Sequence, residues 1–167
     1  MVESKTNNPE FIIETKVAVE TKQSKTAAQV QPQKGPDKGG FYWGLGRRKS
    51  SVARVRIKPG DGKIVVNDRQ YDEYFSVEQH RIRVTAPLKA TNTEKTFDIF
   101  ANAKGGGITG QSGAIQLGIA RALKNYNDQA YGEALRDGGF LTRDSRMTER
   151  KKAGQKKARK RFQFSKR

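Results

Sequence analysis

The sequence predicts an α+β domain, a small sheet with helices on one face, set between two arms poor in core-forming residues. Three observations carry this. Apolar residues alternate with cations over 53–58, and Phe97, Ile99, Ala101 and Ala103 alternate with Asp98, Phe100 and Asn102, the period of a half-buried strand. Ile115, Ile119, Ala122, Leu123 and Tyr126 fall on one stripe at helical spacing. Most of the Ile, Leu and Val lies in the middle of the 167 residues, and overall hydrophobic content is only 34%. The predicted organisation is an extension over 1–40, one globular domain over 41–145 and a tail over 146–167.

Residues 1–40 are rich in Lys, Thr, Gln and Glu, with six Lys against five acids, the composition of a flexible extension. Its apolar pieces, Phe11–Ile13 and Val17–Val19, are long enough for a brief strand or docking contact. Residues 33–40 carry Gly and Pro in linker fashion. Order is expected from Phe41-Tyr42-Trp43. Ala53, Val55 and Ile57 alternate with Arg54, Arg56 and Lys58, a strand with one apolar and one cationic face. Pro59–Gly62 is a turn, and Lys63–Val66 is expected to return beside that strand as an antiparallel hairpin. Gln70–Phe75 predicts a short helix. Residues 77–89 are open between alternatives, with Pro87 limiting any helix. Phe97, Ile99, Ala101 and Ala103 make a further strand. Gly105–Gly107 and Gly110 precede the long helix, for which Ser112 is the candidate N-cap. Asp128 is the candidate cap of a last helix through Leu135, ended by Gly138-Gly139.

Charge is the strongest functional signal. Lys and Arg number 34 against 17 acids, a formal net charge of +17. Arg150 to Arg167 holds ten of the cations and no carboxylate: Arg150, Lys151, Lys152, Lys156, Lys157, Arg159, Lys160, Arg161, Lys166 and Arg167. A core cannot bury such a run, and in free solution it should repel itself and stay extended. Phe162 and Phe164 add rings to the charge. Phosphates to neutralise and bases to stack on are what a nucleic acid offers such a segment. A second block, Arg47, Arg48, Lys49, Arg54, Arg56 and Lys58, puts six cations in twelve residues without an acid. A merely soluble surface mixes the two signs.

Other classes find little support. There is no cysteine, so disulfides and thiolate metal sites are excluded. His80 is the only histidine, and no carboxylates converge in sequence for metal-dependent chemistry. Gly105-Gly106-Gly107-Ile108-Thr109-Gly110-Gln111-Ser112 approaches a nucleotide-binding loop, but Gln111 stands where the lysine is needed. The same glycines can serve as a tight strand-to-helix turn or lay backbone N–H groups on an RNA phosphate. No cofactor, metal or enzymatic activity is expected. No apolar run approaches a membrane span, and the first residues lack the features of a secretory or transit segment. The expected setting is therefore cytoplasmic. A non-specific, nucleoid-type DNA-binding protein is the competing reading.

Several segments, in order, resemble the bacterial type of the ninth small-subunit ribosomal protein family. They include Gly46-Arg-Arg-Lys-Ser-Ser-Val-Ala-Arg-Val55, Ile57-Lys-Pro-Gly60, Gly62-Lys-Ile-Val-Val-Asn67 and Lys104-Gly-Gly-Gly-Ile-Thr-Gly-Gln-Ser-Gly-Ala114. Gly118–Leu123, Gly139-Phe-Leu-Thr-Arg-Asp-Ser-Arg146, Glu149–Lys152 and Gln163-Phe-Ser-Lys-Arg167 follow. The resemblance implies a four-stranded sheet with packed helices, like the second domain of the fifth small-subunit protein. It implies a place in the head of the small subunit, on the 3′ major domain of 16S-type rRNA, beside the tenth and fourteenth proteins. Under it, Arg47, Arg48, Lys49, Arg143, Arg146 and the cations Arg150 to Arg161 face rRNA, joined by Arg54, Arg56, Gly105, Gly106 and Gly107, which their charge and backbone already make candidates. Ser165, Lys166 and Arg167 are the tip that reaches the anticodon stem-loop of P-site tRNA. Residues 1–40 lie outside the family's common core. Phe162 stands where the family commonly has proline, which leaves the tail freer to choose its path.

Overall fold

The computed structural model describes residues 35–164. Most of the predicted extension, residues 1–34, and the tip Ser165, Lys166 and Arg167 lie outside the described residues. The linker ends in a turn, with Gly40 N donating to Asp37 O at 2.8 Å.

The element order is β1 Tyr42–Arg48, β2 Ser51–Pro59, β3 Ile64–Val66, β4 Arg69–Gln70, α1 Tyr71–Tyr74, α2 Glu78–Ala90, β5 Phe97–Lys104, α3 Ile108–Tyr126 and α4 Asp128–Asp137. The strands form one mixed sheet in the order β1-β2-β5-β3-β4. The α+β expectation holds, with five strands in place of four. The short strand β4 pairs with β3 at the far edge.

Strands β2 and β5 lie where the alternation puts them, and they pair antiparallel from Val52↔Lys104 to Pro59↔Phe97. Strand β3 departs from expectation. It runs parallel to β5, with Ile64↔Ile99 and Val66↔Ala101, and is not the hairpin partner of β2. The loop after Pro59 is drawn across the end of β5. Gly60 N donates to Thr96 O, and Asp61 N and Lys63 N both donate to Asp98 Oδ1. The chain therefore reaches the far side of β5, and a parallel return needs a crossover. The segment containing α1 and α2 supplies it.

The hairpin partner of β2 is β1, from Tyr42↔Ile57 to Arg48↔Ser51. Lys49 takes a left-handed conformation (φ +50°) in the two-residue turn between them. Gly44 and Gly46 conceal this strand from a hydrophobic reading. Both face α3 so closely that a Cβ on Gly44 would run into Gly118 O, and one on Gly46 into Ala114 O. Helix α3 thus lies directly on the β1 backbone.

The helices cover one face of the sheet. Val55, Ile57, Ile99 and Ala101 point into the core and meet Ile115, Ile119, Ala122 and Leu123 of α3, all at most 1% exposed. Each large side chain buried this way contributes about 1.5–3 kcal/mol. Tyr42 and Phe97 each set a ring edge-on to Tyr126 at 4.9 Å. Residues 77–89 are resolved as helix α2, with Pro87 in its last turn and buried, so the proline shortens the helix without breaking it.

Both predicted caps move. Helix α3 begins about two turns earlier than its apolar stripe, at Ile108, with Gly107 as N-cap. Ser112 is buried inside it and donates to Thr109 O at 3.1 Å. Helix α4 is capped by Asn127, whose Oδ1 accepts from Ala130 N at 3.0 Å; Asp128 is already helical. Gly139, with φ +68°, ends it in the left-handed conformation as expected.

Candidate nucleic-acid interface

The end of β1, the flank of α2, the middle of α3 and the chain after α4 enclose a cleft of about 260 Å³. Four guanidinium groups line it, from Arg47, Arg48, Arg83 and Arg146, against the carboxylate of Asp144. The excess of cations makes it a receptor for anions.

The four arginines are not equivalent. Arg48 crosses to Asp144, with Nη2 at 3.2 Å and Nε donating at 3.3 Å, while Nη1 donates to Thr109 O at 3.1 Å. Its side chain is 16% exposed. Gly113 makes room for it, since a Cβ there would strike Arg48 Cδ. Arg146 closes on the same carboxylate, with backbone N, Nε and Nη2 each donating at 3.0 Å. Those bonds from Arg146, reinforced by Arg48, hold the Asp144 carboxyl well below the usual carboxylate range. Asp144 therefore ties the root of the tail to β1. Arg47 and Arg83 make no ion pair among the described residues, so their charge is free for a ligand. Arg83 had no signal of its own in sequence, because its segment had no assigned element.

The sequence-predicted cations divide into three groups. Arg47, Arg48 and Arg146 come together at the cleft. Arg54 and Arg56 stand on the outer face of the sheet, with Arg56 Cζ 5.1 Å and 5.4 Å from the ring centroids of Phe41 and Phe100. Lys49 is exposed at the β1–β2 turn, and Arg143 is exposed just before Asp144.

The tail leaves from the cleft and is not extended throughout. Glu149 accepts Lys152 and Arg159, both at 2.8 Å, and the chain bends back between them. Lys152 and then Arg159 lower the Glu149 pKa. Lys156 N donates to Lys160 O at 2.9 Å, and Lys156 Nζ sits 5.5 Å from the Phe162 ring. The expectation of a fully extended tail overlooked this single carboxylate just upstream of the basic run. Arg150, Lys151, Lys157, Lys160 and Arg161 stay exposed and take no ion-pair partner among the described residues.

The glycine loop resolves the near-match to a nucleotide site. Gln111 turns inward, its Oε1 accepting from the Tyr74 hydroxyl and its Nε2 donating to Gly105 O at 3.2 Å. Ser51 Oγ donates to the same carbonyl at 3.0 Å. The loop is thus braced from within, while Gly105, Gly106 and Gly107 remain exposed. His80 is half-buried, its ring nitrogens 3.5 Å from the hydroxyls of Thr109 and Ser112. Among the described residues no group of three or more His, Cys, Asp or Glu could hold a metal ion. None of their helices is long and apolar enough to cross a membrane.

A small α+β domain carrying a cationic cleft continuous with a basic tail presents a surface complementary to a polyanion. A family model described as ribosomal protein S9/S16 matches residues 46–167, well over half of the chain. The chain belongs to this family of ribosomal proteins. Its role is that of a structural constituent of the ribosome and not of an enzyme. The match begins at Gly46, so the family model takes in the β1–β2 turn, the cleft and the tail.

Proposed function

We propose that the protein is an rRNA-bound constituent of the small-subunit head, whose tail runs from the domain toward P-site tRNA. The observation that carries this reading is the continuity of the cleft with the tail. Arg47 and Arg83 present unpaired charge at the point where the chain leaves the domain, and Asp144 fixes that point. The domain docks on the 3′ major domain of 16S-type rRNA through Arg47, Arg48, Lys49, Arg54 and Arg56, the loop Gly105–Gly107, Arg143 and Arg146. Arg48 and Arg146 contribute chiefly by holding geometry, because Asp144 already balances one of their charges.

The tail cations from Arg150 to Arg161 neutralise phosphates and release counterions. Ordering the tail opposes that gain. Ser165, Lys166 and Arg167 form the tip against the anticodon stem-loop of the tRNA. Eighteen extended residues reach at most about 60 Å, enough to cross from a docked domain to a functional site once RNA phosphates displace Glu149 from its partners. The tenth and fourteenth head proteins are the expected neighbours.

Sedimentation of the tagged protein from lysate tests the reading. Co-migration with small subunits that survives high salt is expected. Migration with bulk DNA, or release at moderate salt, overturns it in favour of a non-specific DNA-binding protein. Deleting Lys166 and Arg167 should weaken P-site tRNA binding while subunits still assemble. Failed assembly would instead make the tip an rRNA anchor.

A further inference from the structure

The helices cover one face of the sheet and leave the other open. On the open face the strand register lines up Trp43, Arg56, Phe100 and Val65 in one row across four strands. Leu45, Arg54 and Asn102 form the next row, and Arg47, Val52 and Lys104 the third. Trp43 is 44% exposed and Leu45 41%. Trp43 Nε1 donates to Asp37 Oδ2 at 3.2 Å, which satisfies its polar edge and fixes the ring. Lys58 Nζ, from the same strand as Arg56, lies 5.8 Å from the Phe100 ring. Arg47, Arg54, Arg56, Lys58 and Lys104 make no ion pair among the described residues. Two carboxylates reach this face, and both are committed: Asp98 Oδ1 accepts from Asp61 N and Lys63 N, and Asp37 accepts from Trp43 Nε1 and Lys38 N.

We propose that this open face is a docking surface for an unpaired RNA strand, meeting the cleft at Arg47 and distinct from the tail. The chemistry selects that occupant. A protein partner would have to bring carboxylates to five cations without ion pairs, two of them lysines, whereas Lys, Asp and Glu are depleted at protein interfaces. An RNA strand meets the same cations with phosphates. A duplex would use the charge but not the rings, because its base faces are stacked on one another. Only an unpaired strand can set a base on Trp43 while its backbone follows Arg54, Arg56 and Lys58. The proposal rests on the reading of the chain as an RNA-binding ribosomal protein and adds the kind of RNA and the place where it sits.

Trp43 is the only tryptophan of the chain, so its fluorescence reports on this face alone. The full-length protein is titrated at moderate salt with a short oligouridine and, separately, with an RNA duplex of equal length. The oligouridine should quench Trp43 saturably, and the duplex should quench it far less. Loss of a stacked base weakens binding by about 5- to 150-fold, so Trp43→Ala should lower oligouridine affinity within that range, read by anisotropy of labelled RNA. Arg54→Gln, an exposed change that leaves the core untouched, should shift the quenching midpoint several-fold to higher RNA. Equal quenching by duplex, or no quenching, overturns the proposal. If the wild-type protein still sediments with small subunits at high salt, only the open-face assignment has failed. If it does not, the ribosomal reading has failed with it.

Discussion

Ending the chain at Arg146 separates the contribution of the tail from that of the cleft. The deletion removes ten Lys or Arg and one acid, Glu149, a net loss of nine positive charges. Each phosphate neutralised contributes about 0.7 to 0.9 to the slope of log affinity against log salt. The intact tail should therefore supply a slope of about 6 to 8. Doubling the salt from about 0.1 to 0.2 M then weakens the tail's share of binding by about 80- to 300-fold. The net charge left at the cleft should supply about 2 to 3 of the residual slope, to which Lys49, Arg54, Arg56 and Arg143 add. The assay is equilibrium binding of full-length and truncated protein to a 3′ major domain rRNA transcript at four salt concentrations. A truncation that lowers affinity equally at every salt, with the slope unchanged, refutes the reasoning. It would mean that the tail acts on the fold of the protein and not on phosphates.

Three further outcomes are expected. Glu149→Gln frees Lys152 and Arg159 and should steepen the same slope by about 1, one more phosphate's worth; an unchanged slope would mean those cations never reach RNA. Gly46→Ala puts a methyl against the α3 backbone at Ala114 and should cost about 1–3 kcal/mol or more, seen as a lower thermal midpoint, and an unchanged midpoint would show that α3 is free to move off β1. The Tyr131 hydroxyl is buried without a hydrogen-bond partner among the described residues, and burial pushes its pKa up to about 12. A folded value above the unfolded one of about 10 means stability is full below that pH and is lost as pH rises through the folded value. Tyr131→Phe should therefore keep or raise stability at neutral pH and flatten its alkaline decline, both read by chemical denaturation; equal alkaline slopes for the two proteins would refute this.

What the sequence hid has a common cause. Strands β2 and β5 were legible because each alternates core and outward residues, with only Val52 and Phe100 placing an apolar side chain on the outward row. Strand β1 was not, because Gly44 and Gly46 take the core positions that the pattern needs filled. Their absence of side chain is a tertiary demand, set by α3 seventy residues away in sequence. The pairing of β3 was illegible for the same kind of reason. Pro59–Gly62 has turn chemistry, but Asp98 on another strand decides where the turn leads. Ser112 and Asp128 have the right chemistry for caps, yet the α3 stripe begins about two turns after the helix does, and Asn127 competes with its neighbour on equal terms. At the interface, the abundance of cations was legible and their pairing was not. Arg48 and Asp144 are 96 residues apart, and nothing local marks one for the other.

That pairing changes how the basic surface works. Arg47 and Arg48 are adjacent and chemically identical, and a count of charges gives them the same weight. The strand separates them, because successive side chains point to opposite faces. Arg47 faces out with its charge unmet. Arg48 turns toward α3, passes over Gly113 and ties down Asp144, which in turn holds Arg146 at the root of the tail. One arginine is available to a phosphate, and its neighbour sets the direction in which every later cation leaves the domain. Losing Arg47 should weaken RNA binding by one contact. Losing Arg48 takes one positive charge from the cleft, as losing Arg47 does, and in addition it releases the tail's root from β1. An immobilised root matters because a tail anchored at a fixed point reaches its target with less entropy to lose than one that also swings at its base. The domain's contribution to the tail is therefore geometric before it is electrostatic, and Asp144, an acid within a basic surface, is the residue through which it is made.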